Sequence, residues 1–330
     1  MSPDKPSVLI TGANGFVGSR LCRTFLEEGF NVIAGVRQTA DLRQLTGLEV
    51  AYRYGDVCRP ETLGKMVERV DYVIHNAGVV KTKRIERFFE VNEGGTQALF
   101  QAVAEHNPSV KKVIYISSVA AVGPSDGRSP RNEDDPPNPI STYGKSKLAG
   151  ERVALSYKDE LSVVAVRPPG VYGPGDRENF AFFLALSLRV KPYLGRTSRK
   201  IQLVHVDDLC RGVFLATTRA TSSGKVYFVA ENESYTMKEL IKILRNTVGK
   251  SAIPLYLPSA PLRVIAAISA RILKLLNISP MLTREKADEL LATWEVSVSR
   301  AREELGYRSS ISFEEGARQT FDWYKKEGWL

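Results

Sequence analysis

The 330 residues are 43% apolar and 25% charged, with a formal charge of +9, three cysteines and three histidines. That length exceeds one small core and suits an α/β domain with a large appendage, and the composition excludes a collagen, a disulfide scaffold or a disordered tail. Cys22, Cys58 and Cys210 form no C-x-x-C pair and read as reduced packing residues, while His75, His106 and His205 lack metal-ligand spacing, so no metal is expected.

Basic residues cluster locally at Lys81, Lys83, Arg84 and Arg87 and again from Arg189 to Lys200, without a nucleic-acid motif. The amino terminus has no apolar signal core, and no apolar run approaches the ~20 residues of a membrane span. The expectation is a cytoplasmic protein with no nucleic-acid partner.

In chain order, short apolar runs at 7–10, 31–36, 50–54, 71–75 and 112–117 alternate with helical patterns over 15–28 and 84–105. Strand, helix, strand at this spacing predicts βαβ units and a doubly wound parallel sheet of Rossmann type. A helix over 142–157 and a strand over 163–166 follow. Residues 168–175, rich in Pro and Gly, predict a loop. The expected division is a nucleotide-binding domain over 1–175, to which the chain returns near 201–230, and a smaller C-terminal substrate-binding lobe over 176–330.

The first strand runs into Gly12-Ala13-Asn14-Gly15-Phe16-Val17-Gly18 and then a helix. Gly12 permits the tight turn, Gly15 lets the backbone approach a pyrophosphate, and Gly18 lets helix and strand pack closely. The helix N-terminus would receive the phosphates. After the second strand, Val36-Arg37 stands where an acidic residue would bind the adenine ribose of NAD. Arg37 can pair with a 2′-phosphate, favouring NADP(H), or stack on the adenine, which is compatible with NAD(H). Asp56 and Val57, after the third strand, are expected beside the adenine.

Tyr143 and Lys147 are four residues apart on a predicted helix and so share a face. A nearby ammonium lowers a phenol's pKa. Ser117 and Ser118 end the fifth strand, where a hydroxyl can hold a substrate oxygen beside the tyrosine.

With these motifs in place, the chain resembles the extended short-chain dehydrogenase/reductases, which include nucleotide-sugar epimerases, 3β-hydroxysteroid dehydrogenases and dihydroflavonol reductases. The matching stretches are the glycine loop, Asn76-Ala77-Gly78, Asn92–Thr96, Ser117-Ser118, Tyr143–Lys147, Arg167–Gly175 and His205–Asp208. The resemblance implies that Tyr143 is the general acid/base and that Lys147 bonds the nicotinamide ribose. It implies that Ser118, five residues before Gly123, holds the substrate oxygen, with Asn92 beside the lysine. It also implies that Ala77, Gly78, Pro168 and Val171 line the cofactor path. A homodimer is expected on the same ground. Val119 and Ala120 replace the Asp-Glu pair that sugar dehydratases carry after the catalytic Ser/Thr, which disfavours dehydration.

Three readings of function follow: a reductase or dehydrogenase of a hydrophobic ketone or secondary alcohol, a nucleotide-sugar 4-epimerase with bound NAD, and a non-catalytic binding protein. Lys81, Asn179 and Arg196 are candidate substrate contacts. Residues 260–278 predict an amphipathic helix. Leu262, Ile265, Ala266, Ile268, Ile272, Leu273 and Leu276 form its apolar face, and Arg263, Arg271 and Lys274 its narrow polar side. Such a helix packs into the second lobe or makes peripheral contact with a membrane.

Overall fold

The structure, a computed structural model, describes residues 5–275 and 283–330, and no side chain of 269–275. Seven strands form one sheet: β1 (Ser7–Thr11), β2 (Asn31–Val36), β3 (Ala51–Tyr54), β4 (Tyr72–His75), β5 (Lys112–Ile116), β6 (Val163–Arg167) and a last strand, Lys225–Phe228. The order across the sheet is β3-β2-β1-β4-β5-β6 and then Lys225–Phe228, and every neighbouring pair is parallel. The central strands read as continuous apolar runs because helices cover both faces. Val8 and Ile10 pack on one side with Leu21, Phe25 and Leu209, from helices Phe16–Glu27 and Val206–Thr218. Leu9, between them, points to the other side and joins Leu99, Phe100 and Val103 of Gly95–His106.

Two expectations are refined. The helical stretch over 84–105 is a short helix, Glu86–Phe89, a wide π turn, Glu90–Gly94, and the helix Gly95–His106. The wide turn leaves the Asn92 carbonyl to accept the Thr96 hydroxyl at 2.7 Å. The segment 168–175 is not all loop: Gly170–Tyr172 pairs in parallel with Leu203–His205. Tyr172 draws it inward, since its ring packs edge-on to His205 and Phe313 at 5.4 and 5.1 Å.

The later elements gather on a separate apolar cluster that includes Tyr172, Phe183, Leu186, Leu240, Phe313 and Tyr324. In the helix Ser259–Leu275, Leu262 and Ala266 are buried against Leu194, Ala287 and Leu291, whereas Ile265 and Ile268 are exposed. The single apolar face expected from sequence is therefore divided. The side chains of Arg271, Ile272, Leu273 and Lys274, and residues 276–278, lie outside the described residues. Among the described residues no helix is long and apolar enough to cross a membrane.

The strand order reverses between β1 and β4, and one hydrogen-bonded chain closes that seam. The Thr11 hydroxyl accepts from the Asn76 and Ala77 amides at 3.1 and 3.0 Å, so its proton goes to His75 Nδ1 at 3.0 Å. The Thr96 hydroxyl donates to Asn92, so it accepts from His75 Nε2 at 3.0 Å. The imidazole is thus neutral and protonated at Nε2. Burial, assisted by the charge of Lys147, pulls its pKa from 6.5 to about 3. Between those values the unfolded chain binds the extra proton, so stability falls as the pH drops through the window. Urea unfolding across pH 3–6.5 should show this loss in the wild type and a flatter dependence in His75→Leu; equal slopes would remove His75 as the cause.

Candidate active site

The reversal of strand order opens a crevice at the carboxyl ends of β1 and β4, where such sheets bind ligands. Gly12 has φ +65°, and a Cβ there would stand 2.9 Å from the Ala77 Cα. A Cβ on Gly18 would stand 2.1 Å from the Gly12 carbonyl oxygen. These glycines let the loop fold flat against both neighbours. Gly15 caps the helix Phe16–Glu27 without a side-chain hydrogen bond, so its first amide groups face the crevice. That cradle, open where side chains would fill it, fits the pyrophosphate of a dinucleotide. Gly78 borders it, with a would-be Cβ 3.1 Å from Asn92 Oδ1.

At the adenosine end, Arg37 is exposed just past β2 and has no ion pair among the described residues. The nearest acidic residue along the chain, Asp41, is bound by Arg43 at 2.5 Å, and that hydrogen bond holds its carboxyl down at about 2. Asn14 Nδ2 donates to the Asp41 carbonyl at 3.2 Å. Asp56 uses one carboxylate oxygen to cap the Cys58 amide at 3.0 Å. Val57 is buried where Gly95 passes close by. The Pro168 carbonyl accepts from the Val119 amide at 2.9 Å, which sets Pro168 against the Ser118 turn, and Val171 lies in the Gly170–Tyr172 strand, in register with Val204.

The helix Thr142–Ser156 carries Tyr143 and Lys147. Two glycines set its position. A Cβ on Gly144 would lie 2.3 Å from the Ala120 carbonyl oxygen, and one on Gly150 would lie 2.0 Å from that of Asn92. The helix therefore presses on the turn after Ser118 at one point and on the π turn at another. Ser118 caps that turn by accepting from the Ala120 amide at 3.1 Å, and its hydroxyl stands beside the Tyr143 phenol and favours its ionisation. Lys147 Nζ donates to the Ile116 carbonyl at 2.7 Å and lies 4.3 Å from the centre of the Tyr115 ring. Asn92 is fully engaged: its amide bonds the Val79 carbonyl and Ser146 Oγ, and its oxygen accepts from the Val79 amide.

The expected lowering of the phenol by Lys147 is not what the surroundings produce. Burial pushes Tyr143 up to about 12, against the pull of the Ser118 hydrogen bond, and the carboxylates of Glu289 and Glu178 add to the rise. Burial likewise pulls Lys147 down to about 7, against the attraction of Glu151. Low dielectric penalises the charged form of both groups. Tyr143 is accordingly a neutral phenol, poised to donate.

The proposed substrate contacts fare unequally. Lys81 pairs with Glu178 at 2.6 Å. Asn179 donates its amide to Asp176 at 2.7 Å. Arg196 is exposed, and its carbonyl accepts from the buried Arg199 guanidinium at 3.2 Å. Sequence reasoning missed Glu285 and Glu289, on the helix Arg284–Leu291 of the C-terminal part. Ser141 donates to Glu289 Oε1 at 2.5 Å, and Thr142 gives its amide and hydroxyl to Glu285 at 2.9 and 2.8 Å. Both carboxylates meet the positive end of the Tyr143 helix. No local pattern pairs residues 143 positions apart. Gly144 and Gly150 had a readable signal, as glycines inside a predicted helix.

A dinucleotide cradle beside a Ser-Tyr-Lys arrangement on a parallel sheet defines the class of pyridine-nucleotide oxidoreductases and epimerases. The chain belongs to the NAD dependent epimerase/dehydratase family, which matches residues 8–230, and is an extended short-chain dehydrogenase/reductase. It is 31% identical to a ceramide reductase of Caulobacter vibrioides over 98% of this chain and 96% of that one. It is 29% identical to a 2-alkyl-3-oxoalkanoate reductase of Stenotrophomonas maltophilia, over 94% and 97%. Among solved structures it resembles MoeE5 in complex with UDP-glucuronic acid and NAD, with a TM-score of 0.75, 26% identity, and coverage of 97% and 99%.

The helix bearing Tyr143 is anchored to β6 by a buried bidentate pair: Arg167 Nε and Nη2 meet Glu151 at 2.9 and 2.6 Å, with side chains 5% and 2% exposed. Glu151→Ala strands the guanidinium and should cost about 3–5 kcal/mol in urea unfolding. A loss of only about 0–1 kcal/mol, the value of an exposed pair, would deny the pair this role.

Proposed function

We propose that the protein is an NADPH-dependent reductase of a ketone in a largely apolar molecule. The observation that carries this reading is the helix Thr142–Ser156, which carries Tyr143 and Lys147 on one face and presses on the turn after Ser118, so that the Tyr143 phenol, kept neutral by burial, stands beside the Ser118 hydroxyl. A protonated phenol suits the reductive direction, in which a carbonyl oxygen must receive a proton. The relatives named as reductases of ceramide and of 2-alkyl-3-oxoalkanoates support an apolar substrate. Val119 and Ala120, in place of acids, leave no carboxylate after Ser118 to begin an elimination.

The nicotinamide, when bound, supplies the hydride. The glycine loop, Ala77, Gly78, Asp56 and Val57 would hold the dinucleotide, and Arg37 would receive a 2′-phosphate. Ser118 donates a hydrogen bond to the substrate oxygen and Tyr143 passes its proton to that oxygen. Lys147 lies one turn along the helix from Tyr143 and favours the phenolate left behind once its ammonium is charged. Asn92, with no spare polar atom, acts as a positioning residue that fixes Ser146 and the 79 segment around the lysine.

A nucleotide-sugar 4-epimerase is the second reading, favoured by MoeE5, whose structure holds UDP-glucuronic acid and NAD. The nucleotide that copurifies separates the two: retained NAD favours the epimerase, and empty protein that reduces ketones with NADPH favours the reductase.

Tyr143→Phe removes only the exchanging hydroxyl and should lower kcat by ~10²–10⁴ with nucleotide affinity nearly kept. Near-normal turnover would refute the role. Arg37→Ala should weaken NADPH by about 1.5–3 kcal/mol and leave NADH almost unchanged. Titration of both nucleotides decides this; equal losses would mean that Arg37 stacks on the adenine and that NADP is not preferred.

A further inference from the structure

We propose that the outward face of residues 253–268 docks the protein on an anionic lipid bilayer. The proposal builds on the apolar-substrate reading, because a lipid-like ketone partitions into membranes. The helix Ser259–Leu275 has two apolar sides. Leu262 and Ala266 are buried against Leu194, Ala287 and Leu291. At 3.6 residues per turn, Val264, Ile265 and Ile268 point the opposite way, and they are 56%, 48% and 54% exposed. The strand leading into the helix, Ile253–Leu257, adds exposed Ile253 and Leu255 on one face, while Tyr256 stacks on Tyr193 at 4.9 Å on the other. That strand pairs with Val190–Leu194, which sets Leu257 beside Leu194, the residue the helix covers. Strand and helix thus share one packed edge. Five large apolar side chains, Ile253, Leu255, Val264, Ile265 and Ile268, face solvent within this short segment, a grouping that marks an interaction surface rather than scattered exposure.

Charge identifies the occupant. Residues 240–284 hold seven Lys or Arg and no Asp or Glu, in a chain with 37 acidic residues. Lys191, in register with Pro254, and Lys250, just before the strand, have no ion pair among the described residues. Arg263 is held by Asp288 at 2.6 Å. Lys250 gives a hydrogen bond to the Ser187 carbonyl at 3.1 Å but meets no carboxylate, and apolar side chains flanked by cations without a carboxylate partner among the described residues match hydrocarbon beneath anionic headgroups. A second copy meeting the same face would set like charges against each other.

The surface also adjoins a cavity near the start of the Tyr143 helix. An open cavity of about 460 Å³ is lined by Ile140, Arg263, Asp288 and Leu291. Ile140 precedes Tyr143 by three residues, so the cavity connects the docking helix with the start of the Tyr143 helix.

Flotation of the full chain with phosphatidylcholine vesicles, with and without phosphatidylglycerol, tests the proposal. The protein should float with the anionic vesicles and less so as salt rises. Lys191→Gln with Lys250→Gln should weaken binding roughly thirty-fold, at about 1 kcal/mol per charge. Ile265→Asp with Ile268→Asp should abolish flotation while leaving the melting temperature and nucleotide binding unchanged. Absence of flotation from anionic vesicles overturns the proposal. So does a dimer, seen by sedimentation, that the two aspartates convert to monomer, since the face would then belong to a second copy. Flotation needs no turnover. A protein that floats but reduces no apolar ketone keeps the docking face and overturns the substrate reading; one that reduces such ketones in detergent but does not float overturns the docking alone.

Discussion

The reversal of strand order between β1 and β4 is the constraint on which the rest of the molecule depends. Neighbouring crossovers leave in opposite directions there, so the sheet's carboxyl edge stays uncovered. Holding that edge open requires the backbone after β1 and the backbone after β4 to run side by side. Gly12 and Ala77 make that approach, which leaves no room for a Cβ on residue 12. The chain from Thr11 through His75 to Thr96 and the Asn92 carbonyl ties both strands to the π turn. A dry seam with a neutral imidazole at its centre thus fixes the floor of the crevice.

Tyr143 and Lys147 reach that floor on a helix placed by backbone contact rather than by large side chains. Gly144 and Gly150 let it touch the Ala120 and Asn92 carbonyls, and the Arg167–Glu151 pair fastens it to β6. Close packing brings burial with it. The same loss of water that organises Tyr143 and Lys147 pushes both toward their neutral forms. At the other end, Glu285 and Glu289 bring the C-terminal part to the helix's first turn. The Tyr143 helix therefore bears directly on the elements that surround the cavity beside Ile140.

Much of this was legible in the residues. The parallel strands follow from short apolar runs, and within the stretch 201–230, where the chain is expected to return, Lys225–Phe228 lies beside β6. The glycine loop, Ser118, Tyr143 and Lys147 are local patterns, each carried by one strand end or one helix face. The Gly170–Tyr172 strand was not legible, because its Pro and Gly residues say loop while Tyr172 finds a core partner only in the folded lobe.

By itself the sequence determined the sheet, the cradle and the shared helix face of Tyr143 and Lys147, because periodicity and short spacings are properties of contiguous residues. The tertiary structure alone decided their state. The phenol's pKa depends on burial and on carboxylates from residues 178 and 289. The helix's grip depends on an ion pair between residues 151 and 167 and on caps from residues 285 and 289. The two-sidedness of Ser259–Leu275 depends on Leu194 and Leu291 covering only one side. These are contacts between distant segments, and a sequence read along its length carries no register for them.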